Sequence, residues 1–258
     1  MNPKPLNVTI SKKILKQVGK SNYNFGLIQE GDKVLVGLSG GKDSLSLVHI
    51  LKDQQRRTPF DFEFEAVTID YGMGEDLSQL SQHCIDYGIP HTVHKTNIYD
   101  LSKEKMRENS SACSFFSRMR RGALYTYAMD NGFTKLALGH HFDDAAESYF
   151  MNLFYNGAMR SLAPMYKADR GLTVIRPLIQ VRERQLIAWA HENEMVLIGD
   201  EACPGFRIDA KLPHARAKMK SMLYKMEEEF PDLFTSLNAA FKNIHDDTFF
   251  DVKRFKVE

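Results

Sequence analysis

The run Ser39-Gly40-Gly41-Lys42-Asp43-Ser44 brings two glycines, two hydroxyls, an ammonium and a carboxylate into one turn. An apolar stretch, Val34 to Leu38, leads into it, and Leu45, Leu47, Val48, Ile50 and Leu51 follow at helical spacing. Glycine lets the backbone come close to an anion, and the unpaired N–H groups of a helix start point into the same space. The positive end of the helix adds to this, so the chemistry on offer is phosphate binding. Lys42 supplies a mobile cation, and Ser39 and Ser44 supply hydroxyl donors. The spacing is not that of a Walker A loop, and no G-x-G-x-x-G fingerprint accompanies it.

A second constellation runs from Gly139 through His140, His141, Phe142, Asp143, Asp144, Ala145, Ala146 and Glu147 to Ser148. Asp144 with Glu147 reads as a capping box, and acids suit a helix start. Capping alone does not call for the Gly-His-His that comes first.

Both constellations need elements to carry them. The pattern predicts an N-terminal helix over 6–30, where Ser11 can cap and Ile14, Leu15 and Val18 fall on one face. Phe60, Phe62 and Phe64 lead into a strand over 66–70. A helix over 75–87 carries Leu77, Leu80 and Cys84 and is closed by Gly88 and Pro90. A strand at 91–94, a helix over 117–131, a strand at 135–139 and a helix over 143–155 follow. This alternation describes an α/β fold, a parallel sheet flanked by helices, with ligands bound beyond the strands' C-terminal ends. The loops at 39–44, 68–72 and 139–144 all fall there. Thr68, Asp70, Gly139, His140 and Asp144 therefore join Ser39–Ser44 as nucleotide-site candidates. After Arg176-Pro177-Leu178 we expect a helix over 181–194, a strand Val196-Leu197-Ile198, a basic segment from Arg207 to Lys225 and a helix over 231–245. The chain divides into an N-terminal helical segment (1–30), an α/β domain (31–200) and a C-terminal helical appendage (201–258).

The 258 residues are 43% hydrophobic and 26% charged, ordinary for a globular protein. No apolar run nears the ~20 residues of a bilayer span, and the first residues lack a signal-peptide core, so a cytoplasmic protein without a membrane partner is expected. A net charge of +1 leaves any nucleic-acid affinity to local patches. Arg118, Arg120 and Arg121 make one such patch. Arg207, Lys211, Arg216, Lys218, Lys220 and Lys225, broken only by Asp209, make another, read either as a solvated helix face or as RNA phosphate contacts. Three cysteines are no disulfide scaffold. Cys84 shares an apolar helix face and reads as core. Cys113, in a polar loop before an arginine-bearing helix, and Cys203, before the Pro204-Gly205 turn, suit thiolate chemistry.

Ser39–Ser44 resembles the PP-loop of ATP pyrophosphatases, and with Gly139–Ser148 it is similar to the PP-loop tRNA-modifying enzymes. Cys113–Gly122, Asn152–Gly157, Ile175–Leu178 and the Cys203 region resemble the tRNA 2-thiocytidine synthetase (TtcA) family, over about residues 10–245. In that family a C-x-x-C pair and a distant third cysteine hold a 4Fe–4S cluster. Here Cys113 matches the first and Cys203 the third, but Phe116 stands at the second. Two outcomes stay open. Asp200 or Glu201 could supply a weaker third ligand, or the two cysteines could act as a persulfide carrier and its resolving partner.

The resemblance implies that ATP phosphates bind in the 39–44 loop, with Lys42 and Mg²⁺ neutralising charge as pyrophosphate leaves. Asp43 and Asp144 are the candidate Mg²⁺ holders. Cytidine O2, at anticodon-loop position 32, would attack the α-phosphate. Sulfur would then attack C2 and expel AMP, with Lys42, Asp43, Cys113 and Cys203 as the catalytic set. It also implies tRNA, a sulfur donor such as a cysteine desulfurase system, and a homodimer. The alternatives are a tRNA-Ile lysidine synthetase-like cytidine modification and a non-catalytic adenine-nucleotide or tRNA-binding protein.

Overall fold

Strands β1 (Lys33–Gly37), β2 (Glu63–Asp70), β3 (His91–Lys95), β4 (Lys135–Ala137), β5 (Met165–Lys167) and β6 (Thr173–Ile175) form one sheet ordered β3-β2-β1-β4-β6-β5. The computed structural model describes residues 5–106, 112–168, 171–197, 214–248 and 250. All pairings are parallel except β5 with β6. Helices α1 (Lys12–Phe25), α2 (Lys42–Gln55), α3 (Ser78–Asp86), α4 (Ile98–Lys105), α5 (Ala112–Asp130), α6 (Phe142–Asn156), α7 (Glu183–Glu192), α8 (His214–Glu229) and α9 (Leu233–Ala240) surround it. Among the described residues no helix is long and apolar enough to cross a membrane.

Alternation along β1 sorts its side chains between two cores. Val34 and Val36 pack with Leu47, Leu51, Leu186 and Trp189 on one face. Leu35 joins Leu136, Val174, Phe115, Leu124 and Ala128 on the other. Burial on both faces explains the unbroken apolar run of this strand. A third cluster, Phe142, Ala146, Leu223 and Phe234, fastens α8 and α9 to α6.

Several elements differ from expectation. The first helix begins only at Lys12, where the Ser11 side chain accepts the Ile14 N–H, and ends at Gly26, left-handed at φ 60°. The helix expected from 117 starts at Ala112, because Ala112, Phe115 and Phe116 extend its buried face by a turn. Cys113 therefore lies on a helix, not in a loop. The capping box of α6 uses His141 and Asp144 rather than Asp144 and Glu147. Val196 and Leu197 are exposed and form no strand, and Ile198 lies outside the described residues. The final helix is shorter, Leu233–Ala240, followed by a 3₁₀ turn at Asp246–Thr248. Helix α4 and the β5–β6 hairpin have too short a pattern to announce themselves. Cys203, Asp200, Glu201, Arg207, Asp209 and Lys211, with the expected boundary at 201, lie outside the described residues.

Candidate nucleotide-binding active site

The strand-to-helix turn after β1 is built to leave backbone donors open. Gly40 takes a left-handed conformation, φ 83°, and Gly41 caps α2 in extended geometry without any side-chain hydrogen bond. The first-turn amides of α2 thus receive no side-chain acceptor, the condition for anion binding at a helix start. Ser44 Oγ donates to the Gly41 carbonyl and accepts the Ser39 N–H, both at 3.1 Å, and Ser39 Oγ lies 3.1 Å from it.

The loop after β4 lies directly on this turn. A Cβ on Gly139 would stand 3.1 Å from the Asp43 carbonyl carbon and the Ser44 nitrogen. A residue with one would push that backbone back by a few tenths of an ångström. A cleft of about 180 Å³ opens between the two loops. Ser39, Asp43, Ser44, Gly139, His140 and Asp144 form its polar wall, while Leu38, Val67, Ile69 and Leu124 form much of the apolar one. Arg120 closes one side.

Charge is concentrated here. Lys42 Nζ lies 3.0 Å from Glu183 Oε1 and 3.3 Å from Asp43 Oδ2. Burial alone would lower the Lys42 pKa, but Asp43 and Glu183 outweigh it and raise the value. Burial raises that of Asp43, reinforced by Asp144 and opposed by His141 and Lys42. Asp43 Oδ1 is buried with no hydrogen-bond partner, and His141 Nε2 is 3.9 Å away. Asp144 Oδ2 accepts the His141 N–H at 2.9 Å, and Oδ1 is bonded by Arg216. His140 Nδ1 accepts from Arg176 Nε at 3.4 Å, and burial, more than the nearby charges, pushes its pKa down to about 4.

Thr68 and Asp70 do not join this cleft. Thr68 points to the opposite side of β2, its hydroxyl 2.9 Å from His91 Nε2. Asp70 uses its carboxylate to accept the Gly72 N–H at 2.8 Å and shape the turn. Cys113 is half-buried near the start of α5. It lies seven residues before Arg120 and so on the same helix face, about 10 Å along the axis.

Four residues of the site were not singled out as site candidates from sequence. Glu183 accepts from Lys220 Nζ at 2.9 Å and from the Tyr224 hydroxyl at 2.9 Å, besides pairing with Lys42. Burial would raise its pKa, but these donors hold it down at about 2. Arg216 Nε donates to Glu147 at 2.7 Å. Asp143, buried, accepts from Arg182 Nε and from the Glu183 N–H at 2.7 Å. Arg182 in turn grips Glu227 through both terminal nitrogens and lies over the Phe234 ring. The Asp-Asp tandem hinted at Asp143. The others depend on chain crossings that no local pattern encodes.

The donor sets differ in how they fit the expected groups. A buried carboxylate oxygen without a partner, Asp43 Oδ1 beside Asp144, suits a divalent cation. A three-cysteine cluster does not fit. Phe116 is 1% exposed, and its ring packs edge-on against Tyr71 and Phe115. Among the described residues no three His, Cys, Asp or Glu side chains could hold a metal ion together.

Comparison with known proteins agrees with this architecture. The PP-loop domain family matches residues 6–208. The tRNA-cytidine(32) 2-sulfurtransferase of Geobacter metallireducens is 42% identical over 90% of this chain and 90% of its own. That of Geobacter sulfurreducens is 41% identical over the same shares. Among solved structures, the U34-tRNA thiolase NcsA from Methanococcus maripaludis, determined with its [4Fe-4S] cluster, superposes with TM-score 0.70. It is 23% identical over 87% of this chain and 75% of that one. The NH3-dependent NAD synthetase of Campylobacter jejuni reaches 0.50 at 16% identity, over 88% and 91%. At such identities these two show the fold alone.

Proposed function

The chain belongs to the tRNA-cytidine(32) 2-sulfurtransferase family of PP-loop proteins, and on that premise we propose that it catalyses ATP-dependent thiolation of cytidine 32 in tRNA. The observation that carries the reading is one cleft in which the uncapped α2 start, the orphaned Asp43 oxygen and the Gly139–Asp144 loop converge, with Lys42 held against Asp43 at 3.3 Å.

The triphosphate rests on the 39–44 loop, where the amides and the Ser39 and Ser44 hydroxyls orient it. Lys42 neutralises charge as the α–β bond breaks. Asp43 and Asp144 would hold Mg²⁺, whose chemistry is to balance charge on the departing pyrophosphate. The apolar wall receives the adenine and limits competing attack by water on the α-phosphorus. Cytidine O2 attacks that phosphorus, pyrophosphate leaves with the bonding electron pair, and C2 carries an adenylate.

No step runs through an iron–sulfur cluster. Cys113 and Cys203 handle sulfur as a persulfide pair. The terminal sulfur of the persulfide attacks C2 and AMP leaves. The second thiolate then attacks the cysteine sulfur, freeing the thiocarbonyl and leaving a disulfide for a thiol reductant. A cysteine desulfurase system reloads the carrier. Residues 31–200 and 201–258 act here as one unit, in the cytoplasm and as a homodimer.

Purified protein given ATP, Mg²⁺, unmodified tRNA, a cysteine desulfurase system with cysteine and a thiol reductant should release AMP and pyrophosphate. Replacing cytidine 32 by uridine should abolish the release. Release independent of that cytidine would overturn the reading.

A further inference from the structure

Two cations of the basic run of α8, Arg216 and Lys220, turn toward the site, while Lys218 and Lys225 are exposed. Arg216 and Lys220 lie one helical turn apart on one stripe, with Tyr224 and Glu227 continuing it. Met219 and Leu223, 6% and 2% exposed, anchor the helix to the protein. Arg216 reaches Asp144, which lines the cleft, and Glu147. Lys220 reaches Glu183 at 2.7 Å, the carboxylate that also holds Lys42.

These pairs share an asymmetry. The acids are sunk, Glu147 at 5%, Glu183 at 8% and Asp144 at 15% side-chain exposure, while Arg216 and Lys220 stay 45% and 43% exposed. Ion pairs of exposed cations add little stability. A half-exposed cation aimed by a buried acid is placed where an anion can reach it. Arg216 spends Nε and Nη2 on its two acids, and among the described residues Nη1 has no partner.

We propose that Arg216 and Lys220 form the second wall of the triphosphate site, binding the β- and γ-phosphates of ATP and the pyrophosphate that departs, opposite the 39–44 loop. This rests on the ATP-dependent reading above. It makes α8 part of the nucleotide site, so that nucleotide and helix dock together.

The test is the dependence of binding on phosphate number. Dissociation constants for ATP, inorganic pyrophosphate and AMP are measured for the wild type, Arg216→Gln, Lys220→Gln, the double variant and Arg216→Lys. Each Gln variant should lose about tenfold or more in affinity for ATP and pyrophosphate, the worth of one charged hydrogen bond, with AMP changing little. Arg216→Lys should recover much of the loss. Equal losses for ATP and AMP would mean that the helix merely holds the fold together, and unchanged ATP affinity would mean that it does not touch phosphate. Either result overturns the proposal while leaving ATP use intact. A wild-type chain that binds no ATP overturns both readings.

Discussion

Lys42 opens helix α2, Glu183 opens helix α7, and their side chains meet at 3.0 Å beneath the phosphate loop. A lysine at a helix start faces the positive end of the dipole and is locally unfavourable. Glu183 offsets that cost from a different helix, and it is favourably sited at the start of its own. The Lys42 ammonium is therefore held by the tertiary fold, through Glu183, as well as by Asp43 of its own loop.

Glu183→Gln should loosen Lys42, Lys220 and Tyr224 together. We expect kcat/KM for ATP to fall about 100-fold, the usual cost of a misplaced catalytic group. Stability should fall by about 2–3 kcal/mol, less than for a fully buried pair because Lys220 is half-exposed. The folded-state pKa of about 2 lies below the ordinary 4.5. The carboxylate thus contributes its full stability above pH 4.5 and loses it as pH falls towards 2. Chemical denaturation across that range should show a shallower acid limb in the variant.

Acid should also act through His49, in the middle of α2. Its Nε2 lies 2.9 Å from that of His83, between the rings of Tyr87 and Trp189. Burial first, then the charges of His83 and Lys52, pushes its pKa from 6.5 to about 3. Between those values the unfolded chain binds a proton that the folded chain refuses, so stability falls as pH drops from 6.5 towards 3. The slope from this group is at most about 1.4 kcal/mol per pH unit. His49→Asn should flatten the dependence of Tm on pH there, and an unchanged dependence would remove His49 from the account.

Gly139→Ala tests the contact between the two loops. Its methyl would meet backbone of Asp43 and Ser44 at 3.1 Å, and neither can move as a flexible side chain would. We expect a loss of about 1–3 kcal/mol, felt in ATP affinity more than in Tm. Equal ATP affinity in wild type and variant would show that the contact is slack.

Phe116 is expected to behave as a core residue. Phe116→Ala should destabilise the protein by about 3–5 kcal/mol. Protein purified without oxygen should carry no stoichiometric iron–sulfur cluster. Iron at the level of one 4Fe–4S cluster per chain would contradict this and require a ligand other than residue 116.

The phosphate loop was legible because strand, turn and helix are contiguous in sequence, and His140 and Asp144 were legible because they end the neighbouring strand. Thr68 stands away from the cleft for a geometric reason. Alternation in β2 turns Val67 and Ile69 to the cleft and Thr68 away from it. Cys113 was read as a loop residue because its polar neighbours masked an apolar stripe whose members, Ala112, Phe115 and Phe116, become visible only once the helix is extended backwards. Arg216, Lys220 and Glu183 were beyond sequence reading. A basic run on a helix looks the same whether it faces water or a carboxylate delivered by another element.

The most direct test of the central claim is nucleoside mass spectrometry of tRNA from cells with and without this gene. Deletion should remove 2-thiocytidine, wild type should restore it, and Lys42→Ala should not. Unchanged 2-thiocytidine in the deletion strain, or full restoration by Lys42→Ala, would contradict ATP-dependent thiolation at this site.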